Sequence, residues 1–196
     1  MIIWRKKQIA GWWKILYNQI IFGEWEIVVE SYRNNYNLFR NHKLNKLGET
    51  ALHLAVSHGP ENIVEDHVQI ISQQGSIKEV LRITNNQGNN PLHLAAATGS
   101  LRKCICLAEA HPSLGNERNQ MGESPLFLAA LHGKTDIFLC LHHICSKHLD
   151  DSYNPTTGEM VERLFYTVPS RGSVGLSIFA ESFHFITLLS YLRTNV

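Results

Sequence analysis

The chain repeats itself. Leu52-His53-Leu54-Ala55 returns as Leu92-His93-Leu94-Ala95 and again as Leu126-Phe127-Leu128-Ala129, at offsets of 40 and 34 residues. Upstream, Asn45-x-x-Gly48-x-Thr50 matches Asn85-x-x-Gly88-x-Asn90 and Asn119-x-x-Gly122-x-Ser124. Downstream, Gly59, Gly99 and Gly133 each fall seven residues after the first leucine of their unit. Three features in register across three units restrict the chain to a stack of short, similar modules, each too small to bury its own apolar face.

Each feature has a local physical meaning. Gly48, Gly88 and Gly122 supply the positive φ of a tight turn. Thr50, Asn90 and Ser124 are N-caps that accept from free N–H groups at a helix start. Pro91 and Pro125 then sit in the first helical turn, where a missing N–H is harmless, and Ala51 takes that place in the first full unit. Leu52, Leu92 and Leu126, with the following leucines and alanines, make a short inner helix packed on both sides. Gly59, Gly99 and Gly133 are expected to close it as left-handed caps. A second, outer helix follows through Ile63, Val64 and Val68, then Leu101, Cys104, Leu107 and Ala108, then Ile137, Phe138 and Leu141. The longer first unit is expected to extend its second helix and loop around Gln69 to Ser76. The fold class is therefore all-α, a solenoid of helix-turn-helix units.

A degenerate unit precedes these. Leu16 stands seven residues before Gly23, and Trp25, Ile27, Val28 and Tyr32 follow as an outer helix, without the turn signature in front. Trp12, Trp13 and Tyr17 mark it as an N-terminal cap, joined to the next unit by an Asn-rich linker from Arg33 to Leu44. The organisation is a capping unit over residues 1–44, repeats at about 45–84, 85–118 and 119–150, and a divergent segment over 151–196. In that last segment Leu176, Ile178, Phe183, Phe185, Leu188 and Leu192 would form one packed helix, a degenerate C-terminal cap.

The unit matches the ankyrin signature, in which a turn glycine precedes Thr-Pro-Leu-His and a second glycine closes the helix. It reads here Thr50-Ala51-Leu52-His53, Asn90-Pro91-Leu92-His93 and Ser124-Pro125-Leu126-Phe127. A narrower resemblance is carried by Leu16-Tyr17 with Gly23-Glu24-Trp25, by Ile63-Val64-Glu65, and by the run from Gly122 to Lys134. These resemble the plant ankyrin proteins of the PGG-domain family. That resemblance implies cytosolic repeats ahead of a membrane domain of several hydrophobic helices, and defence or salt-stress signalling at the plasma membrane. The chain departs from the family pattern after about residue 150, with no further Leu-His unit and no Pro-Gly-Gly. The expectation is a truncated, alternatively spliced or wrongly assembled product, whose tail is partly non-native.

Composition narrows the function. With 18 basic and 17 acidic residues the formal charge is +1, so no global field draws in nucleic acid or an anionic membrane. Aromatic residues are not interleaved with basic ones, which also disfavours nucleic acid. Arg5, Lys6 and Lys7 read as a solvated end. Trp12, Trp13, Lys14, Asn18 and Gln19 interrupt any signal peptide, and Glu181 and His184 interrupt the most apolar stretch, Val174 to Leu192. The chain is expected to be soluble and cytoplasmic, with its family placing it at the inner face of the plasma membrane. The four cysteines, Cys104, Cys106, Cys140 and Cys145, form no disulfide framework.

No catalytic constellation, phosphate loop or dinucleotide fingerprint is present, so no cofactor and no small-molecule substrate is expected. His53 and His93 belong to the turn signature and tie turn to helix; Phe127 in the third unit agrees, since packing tolerates it and a proton shuttle would not. Cys140, His142, His143, Cys145 and His148 are zinc-type residues, but their spacing does not bring them to one helical face, and no metal is expected. What remains is a protein-binding surface on the turn tips and the exposed side of the inner helices. The tips are Lys46, Leu47 and Glu49, then Asn86, Gln87 and Asn89, then Gln120, Met121 and Glu123. The inner-helix positions are Ser57 and His58, Ala97 and Thr98, Leu131 and His132. Leu47, Met121 and Leu131 are apolar where exposure is expected and are candidate anchors. A metal-dependent enzyme is kept only as a foil to the interaction module.

Overall fold

The computed structural model describes residues 2–148, with side chains described over 11–146; the expectations for residues 151–196 lie outside the described residues. Two layers of helix run through it. The inner layer is α1 (Ile2–Ile21), α4 (Ala51–His58), α7 (Pro91–Thr98) and α9 (Pro125–Leu131). The outer layer is α2 (Trp25–Asn34), α5 (Glu61–Gln73), α8 (Leu101–Ala110) and α10 (Thr135–His148). Each helix packs on its equivalent in the next unit and on its own partner across the layer. Two single-turn helices, α3 (Tyr36–Phe39) and α6 (Ile77–Val80), and a 3₁₀ turn at Pro112–Asn116 fill the connections.

The inner helices are short because their signature is short. In α7 the Asn90 side chain accepts from His93 N–H and Pro91 sits at the first helical position. Gly99 closes the helix at φ 84°, in the left-handed cap that its sequence position predicts. In α9 Ser124 accepts from Phe127 N–H. There the cap is a Schellman motif, with Lys134 N–H donating to Ala129 O (2.8 Å) and Gly133 N–H to Ala130 O (3.0 Å). Gly59 departs from this pattern: it is extended, at φ −79° and ψ 159°. Pro60 follows it and biases its predecessor away from helical backbone toward the extended region. Its glycine identity serves packing instead, because a Cβ there would lie 2.8 Å from Ala55 O.

Burial follows the repeat. Leu52, Leu92 and Leu126 are at most 1% exposed, and Ile63, Val64, Cys104, Leu107, Ala108, Ile137, Phe138 and Leu141 line the facing outer helices, all buried. In the capping unit Leu16, Trp25, Val28 and Tyr32 are buried, whereas Ile27 and Trp12 face outward. The Arg33–Leu44 stretch is more than a linker. It holds α3, which buries Tyr36 and Phe39, and its His42 stacks on Trp13 with ring centroids 4.0 Å apart. The long first unit is accommodated as expected, by a 13-residue α5 and the added turn of α6.

Candidate protein-interaction surface

Three hairpin turns project from one end of the inner helices, and the same asparagine builds each. The Asn45 side-chain oxygen accepts from Leu47 N–H and Glu49 N–H, both at 3.0 Å. Asn85 does the same for Gln87 and Asn89, and Asn119 for Met121 and Glu123, at 2.9–3.0 Å. A buried donor or acceptor left unpaired is costly, so one asparagine that satisfies two amides fixes the turn. The asparagines recur in the sequence, but as part of a signature they gave no sign of this double role; the short-range side-chain-to-backbone habit of Asn was the available signal.

The turns are tied to one another and to the helices below. Asn86 N–H donates to Leu47 O (2.8 Å) and Gln120 N–H to Gln87 O (3.1 Å), so the tips form a ladder running across the units. His53 and His93 clamp each turn from beneath. His53 Nδ1 faces Thr50 N–H at 3.3 Å, which leaves Nε2–H to donate to Asn89 O in the next unit at 3.1 Å. His93 repeats this with Asn90 N–H (3.2 Å) and Glu123 O (3.0 Å). Burial pushes His53 down to about 4, and lowers His93 in the same direction, against the raising influence of those carbonyl bonds. Both rings are neutral struts. Phe127 leaves the third unit without one.

The ladder sorts the expected contact residues into two sets. Lys46, Leu47, Asn86, Gln87, Gln120 and Met121 point outward, as do His58, Thr98 and His132, with Ser57 and Ala97 half-buried. Leu47 is 58% exposed and Met121 67%. Three residues are misplaced by the sequence reading. Glu49 and Glu123 are buried, drawn back across the turn by Asn45 Nδ2 (2.6 Å) and Asn119 Nδ2 (3.0 Å). Leu131 is buried in the core at 7% exposure, because an apolar side chain at the end of α9 folds onto the packed layer rather than into water. Asn89 is half-buried, and its side chain joins Gln87 and Asn119.

Cys104 and Cys145 are buried, with burial pushing Cys104 up to about 12 and Cys145 to about 11; Cys145 Sγ–H donates to Pro112 O. Cys140 and His143 lie on the outer helix α10, far in sequence from the tips. Among the described residues no group of three or more His, Cys, Asp or Glu is placed to hold a metal ion, and no helix is long and apolar enough to cross a membrane.

A family model for ankyrin repeats, in three copies, matches residues 66–151. The chain carries ankyrin repeats. Their fold recurs in a chain of the crystal structure of the yeast ribosomal protein Rps3 in complex with its chaperone Yar1. That match has a TM-score of 0.59 at 20% identity and covers 72% of this chain and 96% of that one. No curated protein matches. Ankyrin repeats suggest a protein–protein interaction module, and in this chain the turn tips stand open to solvent while α4, α7 and α9 are largely buried.

Proposed function

We propose that this protein is a non-enzymatic interaction module that grips another protein along its turn tips and inner-helix face. The carrying observation is the outward row of Lys46, Leu47, Asn86, Gln87, Gln120 and Met121, in which two large apolar side chains stand exposed at either end of a polar centre. Apolar anchors around a polar strip are the usual composition of a binding patch. The inner helices α4, α7 and α9 contain no Asp, Glu, Lys or Arg, so a partner can approach them without stripping water from charge.

The resemblance of the Gly122–Lys134 run and of Gly23-Glu24-Trp25 to the plant PGG-domain family supports a cytosolic role in stress or defence signalling, close to the plasma membrane. The alternative within that resemblance is a fragment or soluble form of a membrane protein that affects transport. A Leu47→Glu, Met121→Glu double variant tests the surface. Both positions are exposed, so the fold should survive with an unchanged circular dichroism spectrum. Proximity labelling in plant cells should then lose the partners that the unaltered chain recovers. An unchanged partner set would remove the function from this face.

A further inference from the structure

The tip ladder has an open end. Asn86 and Gln120 occupy the same place in their turns, and each donates its N–H to the turn before it, at Leu47 O and Gln87 O. Lys46 is the equivalent residue of the first turn. No turn precedes it: α1 runs as one helix from Ile2 to Ile21, where a full unit would place a hairpin ahead of an eight-residue helix such as α4. Among the described residues Lys46 N–H has no acceptor. Beside it lies an open cleft of about 620 Å³, lined by Tyr17, Leu44, Asn45, Lys46 and Leu47.

We infer that this edge receives an extended segment of the partner protein, which adds a rung to the ladder through Lys46 N–H and places an apolar side chain in the cleft against Tyr17, Leu44 and Leu47. An extended chain directs alternate side chains to opposite faces, so its other face meets the rim. There Lys43 and Lys46 are exposed and form no ion pair among the described residues, while the Glu49 carboxylate is buried on Asn45. The segment that fits alternates apolar and acidic residues. This rests on the interaction reading above and names the chemistry of the partner at one end of the same surface.

The turn itself offers a clean probe. Gly48 N–H donates to Asn45 O, which makes Lys46 the second residue of a tight turn, a position that favours proline. Lys46→Pro therefore deletes the donor and keeps the turn, whereas Lys46→Ala deletes only the charge. The full chain, labelled with ¹⁵N, is titrated with decapeptides alternating Val, Leu or Phe with Glu, and with matching peptides in which Lys replaces Glu. The acidic series should shift the Lys46 amide signal and slow its hydrogen exchange at least tenfold. Lys46→Ala should weaken binding a few-fold, and Lys46→Pro at least tenfold, with melting temperatures unchanged. Equal binding by the two variants, equal binding of the Lys peptides, no binding by any acidic peptide, or a Lys46 amide already protected in the free chain would each overturn the assignment. A Met121→Glu variant that loses cellular partners while Lys46→Pro keeps them would overturn the edge and leave the wider interaction surface standing.

Discussion

His53 shows how much one side chain can be asked to do. It holds Thr50 beneath its own turn and Asn89 in the next, and Nδ1 accepts from Thr50 N–H only while the ring is neutral. Burial lowers its pKa from 6.5 to about 4. The unfolded chain therefore takes up a proton below pH 6.5 that the folded chain refuses until about pH 4. Its contribution is complete above pH 6.5 and is lost progressively as pH falls to about 4, for a total on the order of 3 kcal/mol. His67 and His93 are lowered by burial too, and add to the slope in the same direction. Urea midpoints should thus fall steeply between pH 6.5 and pH 4. His53→Phe copies what the third unit has at Phe127. It should cost about 1–3 kcal/mol at pH 7.5, because Thr50 N–H and Asn89 O lose their partner. The deficit should shrink by pH 5; a deficit that stays constant would mean that His53 does not titrate with folding. The cysteines allow a parallel check. Maleimide labelling of the native chain at pH 7.5, read by mass spectrometry, should reach half-buried Cys140 well before buried Cys104 and Cys145, whose thiols burial holds far above neutrality.

At the scale of the element, the units are held by devices of different legibility. The turn-cap-helix sequence was readable because its chemistry is local: Asn85, Gly88, Asn90 and Pro91 each act within a few residues of their own position. Lys103 was not. Its alignment partners are Ile63 and Ile137, both core residues at 1% and 0% exposure. Yet Lys103 is buried at 8% and reaches back a whole unit to donate to Val56 O (2.8 Å) and Gly59 O (2.6 Å), at the end of α4. A cation at a helix C-terminus is favourable, and those carbonyls have no helical partner. Sequence spacing says nothing about which distant carbonyl a long side chain will find. Leu131 and Glu49 were missed for the same reason, since an alignment gives a position on the helix or turn but not the direction the side chain takes. Lys103→Met keeps the stem and removes the donors; chemical denaturation should show a loss of about 1–3 kcal/mol, and a neutral result would reduce Lys103 to a solvated lysine. The turns give a second contrast. Gly88 and Gly75 both have positive φ, at 79° and 68°. A Cβ at Gly88 would lie 2.7 Å from Gln120 N, part of the ladder, while at Gly75 it would meet nothing within 4 Å. Gly75→Ala should cost only the backbone strain, about 1–2 kcal/mol, and Gly88→Ala clearly more. Equal losses would show that the ladder does not constrain the turn.

At the scale of the molecule, the question is whether so modular a chain behaves as one body. Repeat stacks are stabilised by intrinsic unit terms and by interfaces between neighbours, and cooperativity lives in the interfaces. Here the cap joins the first full unit chiefly through α2 on α5, with Tyr32 tilted against His67 at 4.7 Å, while α1 touches α4 more lightly than α4 touches α7. Outside the core, Arg40–Glu79, Arg82–Glu117 and Arg102–Glu65 also cross between units, but they are exposed and contribute little each. The distribution of tryptophan makes the matter measurable. Trp4, Trp12, Trp13 and Trp25, all four in the chain, lie in the capping unit, so fluorescence reports that unit while far-ultraviolet circular dichroism reports every helix. Leu92, fully buried in the middle repeat, is remote from all of them in sequence. Leu92→Ala should cost about 2–5 kcal/mol. If packing couples the stack, both signals of the variant should move together to lower denaturant, although every tryptophan lies in the capping unit. If the fluorescence midpoint stays in place while the dichroism midpoint falls, the cap is a separate folding unit. The open edge at Lys46 would then sit between two bodies that unfold independently.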